Sequence, residues 1–440
     1  MKRRFLLSAV ALVFFHFSSA QEKISLEQVV TLALEKNYDV RIAQQLAESA
    51  QTDDAFANAA FLPQINAVGA TTWNKNESEV RFASEFSDRN RKGPAESNNT
   101  TASVQLVWTL FDGTRMFSTR ERIDETAEQA KLAVKDQMNN TIANVVLNYY
   151  DVVRQKQQLR AIHEQMAVSE ERVKLAEKKL QVGTGIKPEL LQARVDLNAQ
   201  RAQILQQEAL IFQLKQQLNA LTGLQLPVEY DVADTILIDL DINADEISEN
   251  IENSNLTLLA ARKNLSISNL SVRERRAEYL PFLNFNAAYN FGRVDNTKVI
   301  NVISPIFNET TGLNYGFSVT LPILNGFNTR RLVQQAKIEF GRQSLLYEQQ
   351  KTNVNVNLRN AWVNYANAKK ILTIEEETIG AARENVFIAL ETFKRGVSTS
   401  VELRIAQQSF ADAYNRLIAA RYNTKIAEIE LQRLNGNLLK

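Results

Sequence analysis

The chain has no cysteine among its 440 residues. That excludes disulfide staples, thiolate metal sites, a cysteine nucleophile and lipid attachment through a thiol. Glycine and proline are scarce, at 14 and 7. This is too little punctuation for the two or three loop-rich domains that such a length would suggest. Histidine occurs twice, and only His163 follows the leading segment. A lone imidazole in the middle of a long helical stretch reads as a surface residue, so no metal site is expected. Neither sign of charge dominates, with 51 basic and 50 acidic residues. Loss of Lys2, Arg3 and Arg4 with the leading segment leaves 48 against 50, which gives no support for nucleic-acid binding. Nucleophile elbows, phosphate loops and convergent acid pairs are absent, so no enzyme and no cofactor is expected.

Long hydrophobic runs are also missing. The longest is Phe5 to Phe17, short of the ~20 residues a spanning helix needs. Preceded by Met1-Lys2-Arg3-Arg4 and followed by Ser18-Ser19-Ala20, it has the layout of an export signal over residues 1–20, cleaved after Ala20.

What is present is a duplication. Phe61-Leu62-Pro63, Leu110-Phe111-Asp112-Gly113, Val182-Gly183-Thr184 and Leu221-Thr222-Gly223 recur as Tyr279-Leu280-Pro281, Ile323-Leu324-Asn325-Gly326, Arg395-Gly396-Val397 and Leu434-Asn435-Gly436. Gly113 to Gly183 and Gly326 to Gly396 are both 70 residues; Gly183 to Gly223 and Gly396 to Gly436 are both 40. Equal spacing between turn residues means equal element lengths. We expect a first repeat at 21–226, an inter-repeat linker at 227–243 near the middle of the stack, and a second repeat at 244–440.

Thr114 to Val182 holds neither Gly nor Pro, and as one helix would be roughly 100 Å long. Met138, Val145, Val152, Leu159, Met166, Val173 and Leu180 fall every seven residues along it. Leu358, Tyr365, Leu372, Ile379, Val386 and Phe393 repeat the pattern. Return helices carry Leu190, Leu197, Ile204, Ile211 and Leu218, then Leu403, Phe410, Leu417, Thr424 and Leu431, with Thr424 the one break. Seven-residue spacing predicts coiled-coil packing. Ser25–Phe61 and Ala244–Leu280 read as further helices, so that two shorter helices end to end match one long one.

Between these helices the period changes to two. Ala102, Val104, Leu106, Trp108 and Leu110 alternate with polar or small residues, as do Leu283, Phe285, Ala287, Tyr289 and Phe291, and Leu313, Tyr315, Phe317, Val319 and Leu321. Gln64–Trp73 is a weaker fourth case. Ten-residue strands with one apolar face suit a membrane β-barrel. Asn74–Asn99 and Arg293–Thr311 read as long loops, the second with an unexplained apolar stretch from Val299 to Phe307. Trp73, Trp108, Phe111, Tyr279 and Phe282 sit where interface aromatics belong. Four strands cannot close a barrel, and lipid does not tolerate an open edge, so several chains must pool them.

This constellation resembles the TolC-like outer-membrane efflux protein family over essentially the whole mature chain. The Leu-Pro pairs, the strand-to-helix corners Leu110–Arg115 and Ile323–Asn328, and the helix tips carry the likeness, duplicated in order. The resemblance implies a fold that is mainly α with membrane β. It would be a homotrimer with a twelve-stranded barrel in the lipid of the cell outer membrane, four strands from each chain, over a helical tunnel in the periplasm. It implies an exit duct of tripartite efflux, with an inner-membrane transporter and a periplasmic adaptor (membrane fusion protein) as partners. Type I protein secretion is the alternative within the family, and a secreted coiled-coil scaffold without a pore the alternative outside it. The tips Val182, Gly183, Thr184, Gly185 and Arg395, Gly396, Val397, Ser398, Thr399 would contact the adaptor. Glu189 and Glu402 would line the channel entrance, although their positions also suit helix starts. Gln192 and Ile405 stand where some members have a second carboxylate. Phe393 and Ser398 stand where an aromatic and an arginine help hold the entrance closed. Which cargo, adaptor and pump are served is not written in the residues.

Overall fold

The structure is a computed structural model that describes residues 22–227, 229–242, 244–301 and 303–439. The predicted export signal lies outside the described residues. The chain runs β1 (Glu22–Lys23), α1 (Leu26–Lys36), α2 (Tyr38–Ala55), β2 (Gln64–Val80), β3 (Arg91–Asp112), α3 (Arg115–Gln181) and α4 (Lys187–Leu221). It continues β4 (Tyr230–Asp231), α5 (Ala244–Ser254), α6 (Leu256–Ala277), β5 (Phe282–Lys298), β6 (Phe307–Thr320), α7 (Asn328–Lys394) and α8 (Ser400–Leu434). The two long helices are each 67 residues and the return helices 35 each. Among the described residues no helix is long and apolar enough to cross a membrane.

Two compact units share these elements. Among the described residues, one comprises 22–43, Lys135–Asn255 and 353–439. Its main core packs Val29 and Ala33 of α1 against Val145, Tyr149, Val152 and Val153 of α3, Leu218 of α4, and Tyr230, Val232 and Ile236 of the linker. Strand β4 pairs in parallel with β1. The linker is tied down further along as well. Tyr365 donates its hydroxyl to the Asp239 carbonyl (2.8 Å), and the Asp239 N–H donates to Glu428 Oε2 (3.0 Å).

The seven-residue seams are partly where the sequence places them. Val145, Val152, Leu358, Tyr365, Leu372, Phe393, Leu403, Phe410 and Leu417 are buried. Thr424 is not a break: it is 0 % exposed, and its hydroxyl donates to the Ala420 carbonyl at 2.8 Å. Leu159, Met166, Val173 and Leu180 are only half-buried. In that part of α3 the buried row is Gln155, Ile162, Ser169 and Ala176. These occupy the second seam position, where only Ile162, set among Gln155, Ser169 and Ala176, offers a large apolar side chain.

The expected helices Ser25–Phe61 and Ala244–Leu280 are each broken, at Asn37 and Asn255. The reason is side-chain hydrogen bonding that competes with helix propagation. Asn37 leaves the helix at φ −60°, ψ 132°. Its Oδ1 accepts from the Asp39 N–H (2.9 Å), and its Nδ2 donates to the Leu221 carbonyl at the end of α4 (3.0 Å). Asn255 Nδ2 donates to the Leu434 carbonyl at the end of α8 (2.8 Å). Each asparagine thus satisfies a carbonyl that a helix terminus leaves unpaired.

The other unit comprises Gln44–Val134 and Leu256–Thr352. Helices α3 and α6 are joined there by ion pairs Arg122–Glu274 (2.9 Å) and Lys263–Glu125 (2.9 Å). Its sheet has the order β2-β3-β5-β6, all antiparallel. The strands are longer than expected, 17, 22, 17 and 14 residues. The stretches read as loops are largely ladder: Lys75 pairs with Glu96, Val80 with Arg91 and Asp295 with Phe307. Apolar alternation reports only the part of a strand with an apolar face, whereas backbone pairing continues through polar residues. The apolar stretch after Val299 is mostly a turn. Ile300 lies over Gly93 of β3, since a Cβ there would stand 3.6 Å from Ile300 Cγ2, while Ile303 and Ile306 are exposed.

At the first strand-to-helix corner Gly113 has φ +73°. A Cβ there would stand 2.3 Å from the Ala277 carbonyl oxygen, so only glycine fits. Asp112 Oδ1 accepts from the Met116 N–H (3.0 Å) and starts α3.

Candidate functional site

Directly paired residues share a face of a sheet, so register assigns every side chain. Ile65, Leu106, Ala287 and Tyr315 form one row across four strands; Ala67, Val104, Tyr289 and Leu313 form the next. Trp108, Phe285 and Phe317 form a third, with the Phe285 and Phe317 rings 5.1 Å apart. This apolar face is uncovered: Ile65, Val104, Tyr289, Leu313, Tyr315 and Phe317 are all exposed. The opposite face carries Asn66, Gln105, Ala288 and Asn314 in one row, and Ser103, Asn290 and Gly312 in another. Asn286 Nδ2 donates to Ser318 Oγ at 3.1 Å on that face.

The apolar rows run from Phe111 and Leu283 at one end, through Trp108, to Ala102 and Phe291 at the other. Beyond them the same face turns polar, with Thr71, Thr100, Arg293 and Glu309 in one row and Trp73, Asn98, Asp295 and Phe307 in the next. Trp108 Nε1 donates to the Phe61 carbonyl at 2.8 Å, which fixes the ring at the helix-side edge. Between Thr109 and Phe111 the register shifts. This bulge sets Phe111, rather than the expected Leu110, opposite Leu283 on the apolar face. Phe282 pairs with Asp112 and Thr320 and so falls on the other face. Tyr279, half-exposed, precedes β5.

The tips are tight turns. Gly183 and Gly396 have φ +75° and +74°. The Thr184 and Gly185 N–H groups both donate to the Lys179 carbonyl at 2.9 Å, and a Cβ on Gly185 would stand 2.9 Å from Leu180 N. In the second tip the Val397 N–H donates to the Thr392 carbonyl (2.9 Å). Val182 and Val397 are 73 % and 79 % exposed. Glu402 N–H donates to Thr399 Oγ1 (3.3 Å) while the Thr399 N–H donates to Glu402 Oε2 (3.0 Å), a complete capping box. Glu189 lies in the first turn of α4, after Pro188, with no side-chain cap at Ile186.

The family model for "Outer membrane efflux protein" matches residues 29–224 and 247–437. The chain belongs to the outer membrane efflux protein family. It is 23 % identical to outer membrane protein TolC of Vibrio cholerae over 90 % of this chain and 88 % of that one. To the cation efflux system protein CusC of Escherichia coli it is 22 % identical, over 92 % and 85 %. The fold matches the CmeC outer membrane channel of Campylobacter jejuni with a TM-score of 0.80 at 19 % identity, covering 94 % of this chain and 85 % of that one. The membrane of this family is the outer one, and the chain is placed there.

Near the tips lie further contacts that the residue pattern did not announce. Phe393 is 1 % exposed, with Lys179 Nζ 4.2 Å from its ring centroid. Ser398 Oγ meets Thr392 Oγ1 at 3.1 Å inside its own tip. Arg172, 5 % exposed, pairs with Asp196 of α4 and donates to Gln407 Oε1 of α8 (3.3 Å). The one available signal was an arginine flanked by seam positions. It tethers both return helices to α3.

Proposed function

We propose that three copies of the chain pool their sheets into one twelve-stranded barrel, and that the resulting trimer is the exit duct of a tripartite efflux system. The carrying observation is a four-stranded sheet with a continuous apolar face and two outer strands, β2 and β6, each paired on one side only among the described residues. In lipid those edges need partners, and neighbouring copies supply them symmetrically. The polar face then lines the lumen, and the helices continue as a periplasmic tunnel. The tips Val182–Gly185 and Arg395–Thr399 would receive the periplasmic adaptor, with Val182 and Val397 as apolar anchors. Cargo choice would lie with the inner-membrane transporter, because the lumen rows of Asn, Gln, Ser and Gly select little.

Planar-bilayer recording of the detergent-extracted protein tests this reading. Stepwise conductance from a species of three chains is expected. A protein that is released without detergent, or that gives no conductance while folded, would overturn it in favour of a pore-free scaffold.

A further inference from the structure

We propose that the cavity between α3, α7, α8 and the inter-repeat linker is a binding site for a small polyanion bearing carboxylate or phosphate groups. The cavity, about 370 Å³, lies within the unit that holds the linker. Lys156 and Arg160 of α3, Arg383 of α7 and Arg421 of α8 line it, over a floor that includes buried Leu417. Asp234 is the one carboxylate in the lining.

Charge accounting argues against a plain solvated surface. Asp234 is already committed, to Lys156 Nζ (2.7 Å) and to Lys23 Nζ (3.0 Å). Those two ammonium groups hold its carboxyl at about 2, well below the carboxylate range. Lys156 also reaches Asp231 at 2.7 Å. The lysines and aspartates thus neutralise one another, and the arginines set the charge of the lining. Arg160 is paired with Glu164 (3.6 Å) and Arg421 donates to Glu376 Oε1 (3.3 Å), but neither glutamate lines the cavity. Arg383 has no ion-pair partner among the described residues. Three arginines from three helices thus line one concavity that holds a single carboxylate, already committed, and an anion with several acceptor oxygens would supply the acceptors that the lining lacks. Arginine forks suit carboxylate and phosphate geometry.

The basic lining is not general to this unit. A neighbouring cavity of about 420 Å³ between α7 and α8 is lined by Asn364, Asn367, Asn423, alanines and one acid, Glu430, with no cation.

Isothermal titration of the full-length protein in detergent at low salt is the test, using citrate, pyrophosphate and a soluble disaccharide-peptide fragment of cell wall as probes. Binding that weakens with ionic strength is expected. The variant R383Q/R421Q should bind about tenfold or more weakly, whereas R359Q, exposed on α7 outside the cavity, should bind as the parent does. Citrate and cell-wall fragment binding without pyrophosphate assigns the site to carboxylates, and the reverse assigns it to phosphates. Absence of heat with all three probes in correctly assembled protein overturns the proposal. So does unchanged affinity in R383Q/R421Q.

Discussion

At the scale of single residues, the two halves of the chain place the same glycine under different constraint. Gly113 and Gly326 both have positive φ, but only at Gly113 is the Cβ position occupied, by the Ala277 carbonyl oxygen. At Gly326 nothing stands within 4 Å. Gly326→Ala should cost only the left-handed backbone penalty, about 1–2 kcal/mol. Gly113→Ala adds a backbone clash and should abolish assembled protein at growth temperature. Thermal denaturation of both variants checks this, and equal melting points would contradict it. A second residue-scale test concerns Glu428. It is 2 % exposed, and burial pushes its carboxyl above the usual value of 4.5, opposed by Lys425 at 2.6 Å and the Asp239 N–H. The native protein therefore holds the proton to higher pH than the unfolded chain does. The stability this group contributes is complete below pH 4.5 and is lost as pH rises through the folded value. Lys425→Met leaves a buried carboxylate without its cation and should cost about 3–5 kcal/mol at pH 8, shrinking as the pH falls toward 4.5. Lys425→Met with Glu428→Gln removes both charges and keeps an acceptor for Asp239, so most of the loss should return. Equal losses at pH 5 and pH 8 would refute the assignment.

At the scale of elements, neighbouring residues of β5 lie on opposite faces of the sheet. Ala287 pairs with Leu106 and Tyr315 on the apolar face, while Ala288 pairs with Gln105 and Asn314 on the polar one. Ala287→Arg should cost about 2–4 kcal/mol near the bilayer midplane, and Ala288→Arg should insert and assemble, narrowing the conductance. Comparable insertion of both would mean that the register is shifted by one. Much of this level was legible from sequence. The stretch from Thr114 to Val182, free of glycine and proline, locates α3 to within a residue, and the repeated 70-residue glycine spacing carries the same length to α7 despite Gly341 and Gly380 inside it, because in a long helix every turn repeats the same packing problem. Asn37 and Asn255 were not legible, since an asparagine breaks a helix here only through partners on α4 and α8 far along the chain. The bulge at Leu110 was hidden for a similar reason: alternation looks intact until pairing with β5 shows the extra residue. The ladder beyond Trp73 carries no apolar period at all.

At the scale of the whole channel, the question is what charge the entrance presents. Glu189 and Glu402 each begin a return helix, and a homotrimer would hold six of them. The capping box makes Glu402 useful to its own helix, so a stability effect alone cannot reveal a ring. Glutamine separates the two roles. At the third helical position it still caps Thr399 through its side-chain oxygen, while the charge is gone. Glu189→Gln with Glu402→Gln should therefore melt close to the parent protein, whereas Glu402→Ala should lose about 0.5–2 kcal/mol from the cap. If the six carboxylates share one constriction, the double glutamine variant loses preference for cations over anions, and block by divalent cations weakens. Screening sets the conditions, because the Debye length falls from roughly 30 Å at 0.01 M salt to about 3 Å at 1 M. The change in reversal potential should be large at low salt and fade at high salt. A barrel lumen should mask it little, because two of the rows on the polar face (Asn66, Gln105 and Asn314; Ser103, Asn290 and Gly312) carry no charge, and Asp112 on that face accepts from the Met116 N–H. An unaltered reversal potential at 0.01 M salt would leave both glutamates as helix-start residues and move ion selectivity elsewhere in the helical section.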